Sequence, residues 1–254
     1  MRVGDTVRRT PYPWQSAIHA LLLHLESVGY PHSPRFLGMD EQGREVLTYI
    51  DGVCGGDGYL DGIVRGAEPW AMVVPEEGLR RMARFLRDYH DAVEDYRPNP
   101  GSAWAGGQGL TGEVICHNDP GPWNIVWRDG FPVGIIDWDL AAPGRRLHDV
   151  AYALEWVAPF CSDEECLRWR RFEHPPDRSA RIEVFAEAYG LSTTAGLVDE
   201  VIEQQMATLE LALGMADVGL EPQATWAAEG MRDSSEQRIE WTRSNRHLFA
   251  AGGT

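Results

Sequence analysis

Between Val114 and Asp149 the chain reads VICHNDPGPWNIVWRDGFPVGIIDWDLAAPGRRLHD, and no other stretch constrains the fold as tightly. Ile125 to Trp127 has strand character. Asp129-Gly130 is the kind of pair that makes a tight turn, and Val133 to Ile136 reads as the return strand. A hairpin here brings Asp137 back toward Asn124, with Asp119 just upstream on the same loop. Two or three carboxylates and one carboxamide then converge. All are oxygen donors, the ligands that hard Mg²⁺ prefers. Phosphoryl transfer needs such a group. One carboxylate orients an acceptor hydroxyl and takes its proton, while a second, with an amide, holds metal against nucleotide phosphates. Each residue has an ordinary alternative: Asp119 as a helix cap, Asn124 and Asp129 as turn residues, Asp139 as a loop carboxylate. These alternatives account for the residues singly but poorly as a set.

The rest of the chain frames this stretch. Val3 and Val7 flank Gly4-Asp5, so residues 2–9 suit a short hairpin or a strand end. Ile18, Leu21, Leu22, Leu25 and Val28 fall at helical spacing, stopped by Gly29 and Pro31. A second hairpin follows, with strands Arg35 to Met39 and Arg44 to Ile50 around Asp40 to Gly43. Asp51 to Gly62 (DGVCGGDGYLDG) reads as a flexible connector rather than a phosphate-binding glycine loop. A helix is predicted from Glu76, with Leu79, Met82, Ala83, Leu86, His90 and Val93 on one face. Pro98 to Gly112 reads as a loop. Beyond residue 150 the pattern is helical. Its stripes are Val150, Ala153, Leu154 and Val157, then Ile182, Phe185 and Tyr189, then Leu197, Val201 and Met206 to Leu213, with EHPPD at Glu173 to Asp177 as a breaker. The expected fold class is α+β, with a small mixed lobe over residues 1–52 and a mainly helical lobe over 53–254. A cleft between two such lobes is a favoured ligand site.

Composition narrows the partners. The chain of 254 residues is 43% hydrophobic, enough for a substantial core. Thirty-nine acidic residues against 23 basic ones give a formal net charge of -16, which argues against a nucleic-acid partner and suits a cationic small molecule or simple solubility. No apolar run approaches the roughly 20 residues of a membrane helix. MRVGDTVRRT has no apolar stretch behind its charges, so a soluble, cytoplasmic protein is expected. Cys54, Cys116, Cys161 and Cys166 show no zinc spacing and read as reduced thiols.

The order H-x-D-x-x-x-x-N, hairpin, IIDWD resembles the catalytic loop and metal-binding Asp of the protein-kinase-like fold. It is closest in form to aminoglycoside phosphotransferases and choline/ethanolamine kinases, and the match continues into Arg146-Leu147-His148-Asp149-Val150-Ala151. The resemblance implies Asp119 as catalytic base, Asn124 and Asp137 as metal ligands, and Asp139 as a secondary carboxylate. His117 would brace the loop and Asp149 would tie it to its helix. Leu47 to Gly52, including Tyr49 and Ile50, would be the hinge contacting the base of ATP or GTP, with Mg²⁺ as cofactor.

Two departures stand out. Asn118 replaces the family's usual Gly between His and Asp, as in the choline-kinase version. The front has room for part of a kinase small lobe only, and it lacks the strand-borne Lys. The chain contains no Lys, so its 23 basic residues are all Arg. Arg8 or Arg9 is the nearest cation for a phosphate, with solvated edge-strand charges as the alternative reading. An acidic partner on the helix is not obvious, Glu26 lying late and His19 nearer the middle. Glu155, Asp163, Glu164 and Glu165 could line an acceptor site, and Trp156 or Trp169 could supply cation–π contacts, though surface and core roles are the plainer expectation. The expected activity is an ATP-dependent O-phosphotransferase for a small, cationic molecule such as an aminoglycoside. A choline or amino-alcohol kinase, and a non-catalytic binding or immunity protein on the same scaffold, are the alternatives.

Overall fold

A computed structural model describes residues 1–55, 59–60, 63–64 and 68–250. In the expected connector over Asp51 to Gly62, residues 56–58 and 61–62 lie outside the described residues.

The chain opens with β1 (Arg2–Val3) and β2 (Thr6–Arg9), the hairpin read around Gly4-Asp5. Helix α1 (Gln15–Ser27) buries Ala17, Ile18, Leu21, Leu22 and Leu25, the stripe given by the helical period. Then come β3 (Phe36–Met39) and β4 (Glu45–Thr48). The four strands form an antiparallel sheet in the order β1-β2-β4-β3. Side chains alternate along these strands. Glu45 and Leu47 are therefore buried while Val46 and Thr48 are half-buried, and Arg8 and Arg9 leave opposite faces of β2.

A short ladder joins β5 (Tyr59–Leu60) and β6 (Ile63–Val64), followed by α2 (Glu68–Val73). Helix α3 (Glu76–Ala92) has the predicted face, widened by Phe85 and Tyr89. Inside the loop read over Pro98 to Gly112, β7 (Ala103–Trp104) and β8 (Gly107–Gln108) make a small hairpin. The informative stretch folds as β9 (Val114–Cys116), β10 (Ile125–Arg128), β11 (Phe131–Ile135) and β12 (Ala142–Gly144). β10 and β11 form the expected hairpin. Asp129 and Gly130 both have positive φ, 52° and 76°, as a type I′ turn demands.

Helices complete the chain: α4 (Arg146–Val157), α5 (Asp163–Trp169), α6 (Arg178–Tyr189), α7 (Leu197–Asp217), α8 (Gln223–Ala228) and α9 (Met231–Ser244). The EHPPD breaker falls between α5 and α6, where the Asp177 side chain caps α6 by accepting from the backbone N–H of Ala180. The stripe predicted through Met206 to Leu213 differs from the structure. Met206 is 47% exposed and burial resumes only at Met215; Ala207, Thr208, Leu211 and Ala212 of this stretch line a cleft. One core runs from Ile18 and Leu21 of α1 through Leu86 and Tyr89 of α3 to Leu154 and Phe185. The architecture is thus α+β and rich in helix. Among the described residues, no helix is long and apolar enough to cross a membrane.

Candidate functional site

β9 ends at Cys116 and leads through buried His117 to Asn118 and Asp119, which line a cleft of about 1320 Å³. A 3-10 turn over Pro122–Asn124 leads into the hairpin, and β11 returns the chain to Asp137. Asp137 is left-handed, with φ 65°, and a second 3-10 turn over Trp138–Leu140 carries Asp139. β12 then pairs with β9, closing the loop and fixing both ends of the motif. Asp119, Asn124, Asp137 and Asp139 consequently all line one cleft.

Two networks organise these groups. In the first, Asn124 Nδ2 donates to the backbone carbonyl of Asp119 at 2.9 Å and to its Oδ2 at 2.8 Å. Tyr152 donates its hydroxyl to Oδ1 at 2.5 Å. Burial pushes the Asp119 carboxyl up to about 7; the Tyr152 hydrogen bond opposes this and the Asp137 charge adds to it. In the second, Arg9 spans the cleft. Its Nη1 donates to Asp137 Oδ1 at 3.2 Å, its Nη2 to Asp139 Oδ1, and its Nε to Glu45 Oε1. Glu45 is fully buried in β4. It also accepts from Gln15 Nε2 at 3.1 Å and pairs with His19 Nε2 at 2.8 Å. Burial would lower the affinity of Arg9 for its proton, but Asp139 and Glu45 outweigh it and hold the guanidinium firmly charged. Burial raises Asp139 to about 6, against the pull of Arg9 and with the push of Asp137 and Glu45.

Behind the loop lies a third set of contacts. Asp149, buried in the first turn of α4, accepts the backbone N–H groups of His117 and Asn118, both at 2.7 Å, and pairs with His90 Nε2 at 3.0 Å. Burial alone would raise its carboxyl, yet the hydrogen bonds and the His90 and His117 rings hold it below the usual range. His117 Nε2 donates to the Ile136 carbonyl at 3.0 Å, and burial lowers the pKa of the ring. Asn118 has φ 64° and donates through Nδ2 to the Leu140 carbonyl at 2.8 Å. The left-handed backbone explains why Gly or Asn suits this position.

The structure therefore brings Asp119, Asn124, Asp137, Asp139 and Arg9 together, with His117 and Asp149 behind them. Tyr49 and Ile50 also line the cleft, beside Leu47 and Thr48. Arg8 is turned away and pairs with Asp40 at 3.5 Å. The acidic residues considered for an acceptor wall do not line the cleft. Glu155 is buried against Gln205, Glu165 pairs with Arg170, Asp163 with Arg178, and Glu164 is exposed. Trp169 lies under Arg168 outside the cleft, whereas Trp156 does line it. Three participants escape sequence reasoning: Glu45, Tyr152 and Trp123. Only Glu45 carries a signal, an acidic residue in phase with buried Leu47 on a strand.

Solved structures share this fold. An ethanolamine kinase from Plasmodium vivax matches with a TM-score of 0.58 and 11% identity over 93% of this chain and 75% of that one. The ADP-bound aminoglycoside phosphotransferase APH(2'')-Ib matches with a TM-score of 0.52 and 11% identity over 97% of this chain and 88% of that one. The fold is that of the kinase-like phosphotransferases. At the level of sequence, the family model "Phosphotransferase enzyme family" matches residues 102–177. The trifolitoxin immunity protein of Rhizobium leguminosarum bv. trifolii is 35% identical over 209 residues, 79% of this chain and 74% of that one. The chain belongs to the phosphotransferase enzyme family.

Proposed function

We propose that this protein transfers a phosphoryl group from ATP or GTP to a hydroxyl of a small molecule, with residues 1–52 and 53–254 as the lobes that flank the cleft. The observation that carries this reading is the Asp119 carboxylate, oriented by Asn124 and Tyr152 and facing a cleft whose other polar wall is Asp137, Asp139 and Arg9. Asp119 would accept the proton of the acceptor hydroxyl. Arg9 would take the place of the strand Lys, with Glu45 buried behind it to fix the guanidinium. Leu47 to Ile50 would hold the base of the nucleotide.

The donor set fits Mg²⁺. Asp137 and Asp139 offer carboxylate oxygens, and the hydrogen bonds of Asn124 run through its nitrogen, leaving the amide oxygen for a cation. Among the described residues, no group of three His, Cys, Asp or Glu side chains could cage a metal alone. A site of this kind relies on nucleotide phosphates for its remaining ligands, as Mg²⁺ sites commonly do. When bound, the ion would neutralise charge on the phosphates.

The test is incubation with Mg·ATP or Mg·GTP and a panel of hydroxylated small molecules, read as nucleotide consumption and as phosphoryl mass on the acceptor. Asp119→Ala should lower turnover by about 10²–10⁴-fold, and Asp137→Ala should abolish it. Absence of both turnover and a nucleotide-induced thermal shift would reject the reading. A second reading is a binding protein that confers immunity without catalysis. The 35% identity to the trifolitoxin immunity protein favours it, as does the engagement of both metal-type carboxylates by Arg9. Protection of trifolitoxin-sensitive cells by wild type and by Asp119→Ala alike would select it.

A further inference from the structure

The part of the cleft next to Asp119 is aromatic. Trp123 and Tyr152 flank the carboxylate, with ring centroids 6.5 Å apart. Trp156 packs edge-on to Trp123 at 4.7 Å, and Trp70 closes the cluster at 6.2 Å from Trp123. The same cleft is lined by Leu211 and Met215 of α7 and by Trp226 of α8, which is 43% exposed. Apart from the three motif aspartates, Glu210 is the one carboxylate among the described lining residues.

Two of these rings, Trp70 and Trp156, are already engaged from within. The Arg170 guanidinium lies 5.3 Å from the Trp70 ring and 5.0 Å from the Trp156 ring, and Arg238 lies 5.0 Å from Trp156. These cations are matched internally by Glu165 and Glu155. A cationic ligand would meet Trp70 and Trp156 with their quadrupoles already serving guanidinium groups, and only Glu210 outside the motif, among the described lining residues, to offset its desolvation. A neutral ring or branched aliphatic body would instead gain contact with the rings and with the apolar side chains of α7.

Resting on the phosphotransferase reading, we infer that the acceptor is a hydroxyl-bearing molecule with a neutral aromatic or aliphatic body. Its hydroxyl reaches Asp119, and its body lies between Trp123 and the Leu211–Trp226 wall. This departs from the cationic acceptor that net charge alone suggests, because Glu155, Asp163 and Glu165 are spent on internal arginines and Glu210 alone, among the described lining residues, adds a carboxylate to the motif's own.

Saturation-transfer NMR on the full chain, without nucleotide, tests the assignment with four probes: the neutral aromatic alcohols tyrosol and tryptophol, choline, and kanamycin. Ring protons of tyrosol and tryptophol should receive saturation. Leu211→Asp and Trp226→Ala should each weaken their binding by at least about threefold, while Leu37→Asp, on exposed β3 outside the cleft, should not. Thermal melts establish that each variant is folded. Stronger transfer to choline or kanamycin, no transfer to any probe, or equal binding by the two cleft variants and wild type would overturn the inference. Failure of the kinase reading shows separately, as absent nucleotide turnover with this binding pattern intact.

Discussion

At the scale of single residues, backbone conformation and buried charge decide most of the site. Asn118 sits in the left-handed region and bonds the Leu140 carbonyl. Asn118→Val should destabilise the protein by about 2 kcal/mol in urea unfolding, and Asn118→Gly by well under half of that. Asp149 makes a pH prediction. Its native contacts favour the ionised form, so its folded pKa lies below the unfolded one. That stabilisation is complete above the unfolded carboxylate pKa of about 4 and is lost as pH falls through the folded value. The gap in urea midpoint between wild type and Asp149→Asn should be constant from neutrality down to about pH 5 and narrow below about pH 4. His117, whose pKa burial lowers, adds acid sensitivity in the same direction, since the unfolded ring takes up a proton more readily.

At the scale of elements, the site depends on one hairpin and one strand. The β10–β11 hairpin places Asp137 by its register, with Ile125 opposite Ile135. Gly121 belongs to the approach: a Cβ there would come within 2.3 Å of the Trp123 ring. Gly121→Ala should therefore displace Trp123, lowering acceptor affinity more than nucleotide affinity; calorimetric titration of each ligand checks this. β4 contributes Glu45, which ties Arg9, Gln15 and His19 together. Glu45→Ala leaves a half-buried guanidinium without its inner partner and should cost about 3 kcal/mol in urea unfolding. Glu45→Gln should recover part of that loss, because the amide oxygen still accepts. The elements themselves were legible in the sequence, since α1, α3, both hairpins and α6 follow apolar period and turn chemistry. The run Met206 to Leu213 was not: Met206 is exposed, and Leu211 and Ala212 line a cleft, where a helix face has the same apolar pattern as one packed in a core.

At the scale of the whole molecule, a continuous core joins the sheet and α1 to the helices behind the site. Leu21, wholly buried in α1, should on truncation to Ala cost about 3 kcal/mol. Far-UV circular dichroism and tryptophan fluorescence should then shift together, because one core is weakened. Separate transitions would show that the sheet region unfolds on its own. The sequence by itself determined the spacing of Asp119, Asn124, Asp137 and Asp139, because a DG turn and alternating strands set local register within a few residues, and the resemblance of that motif pointed to the kinase-like class. It also placed His117 and Asp149 in one motif. Only the tertiary structure decided that Arg9 and not Arg8 meets the aspartates, that Glu45 stands behind Arg9, and that Tyr152 and Trp123 bracket Asp119. It also decided that Glu155, Asp163 and Glu165 pair with arginines rather than face the cleft. These outcomes turn on which faces of distant elements are brought together. Contacts across so many residues depend on packing of the whole chain, which no local period or motif encodes.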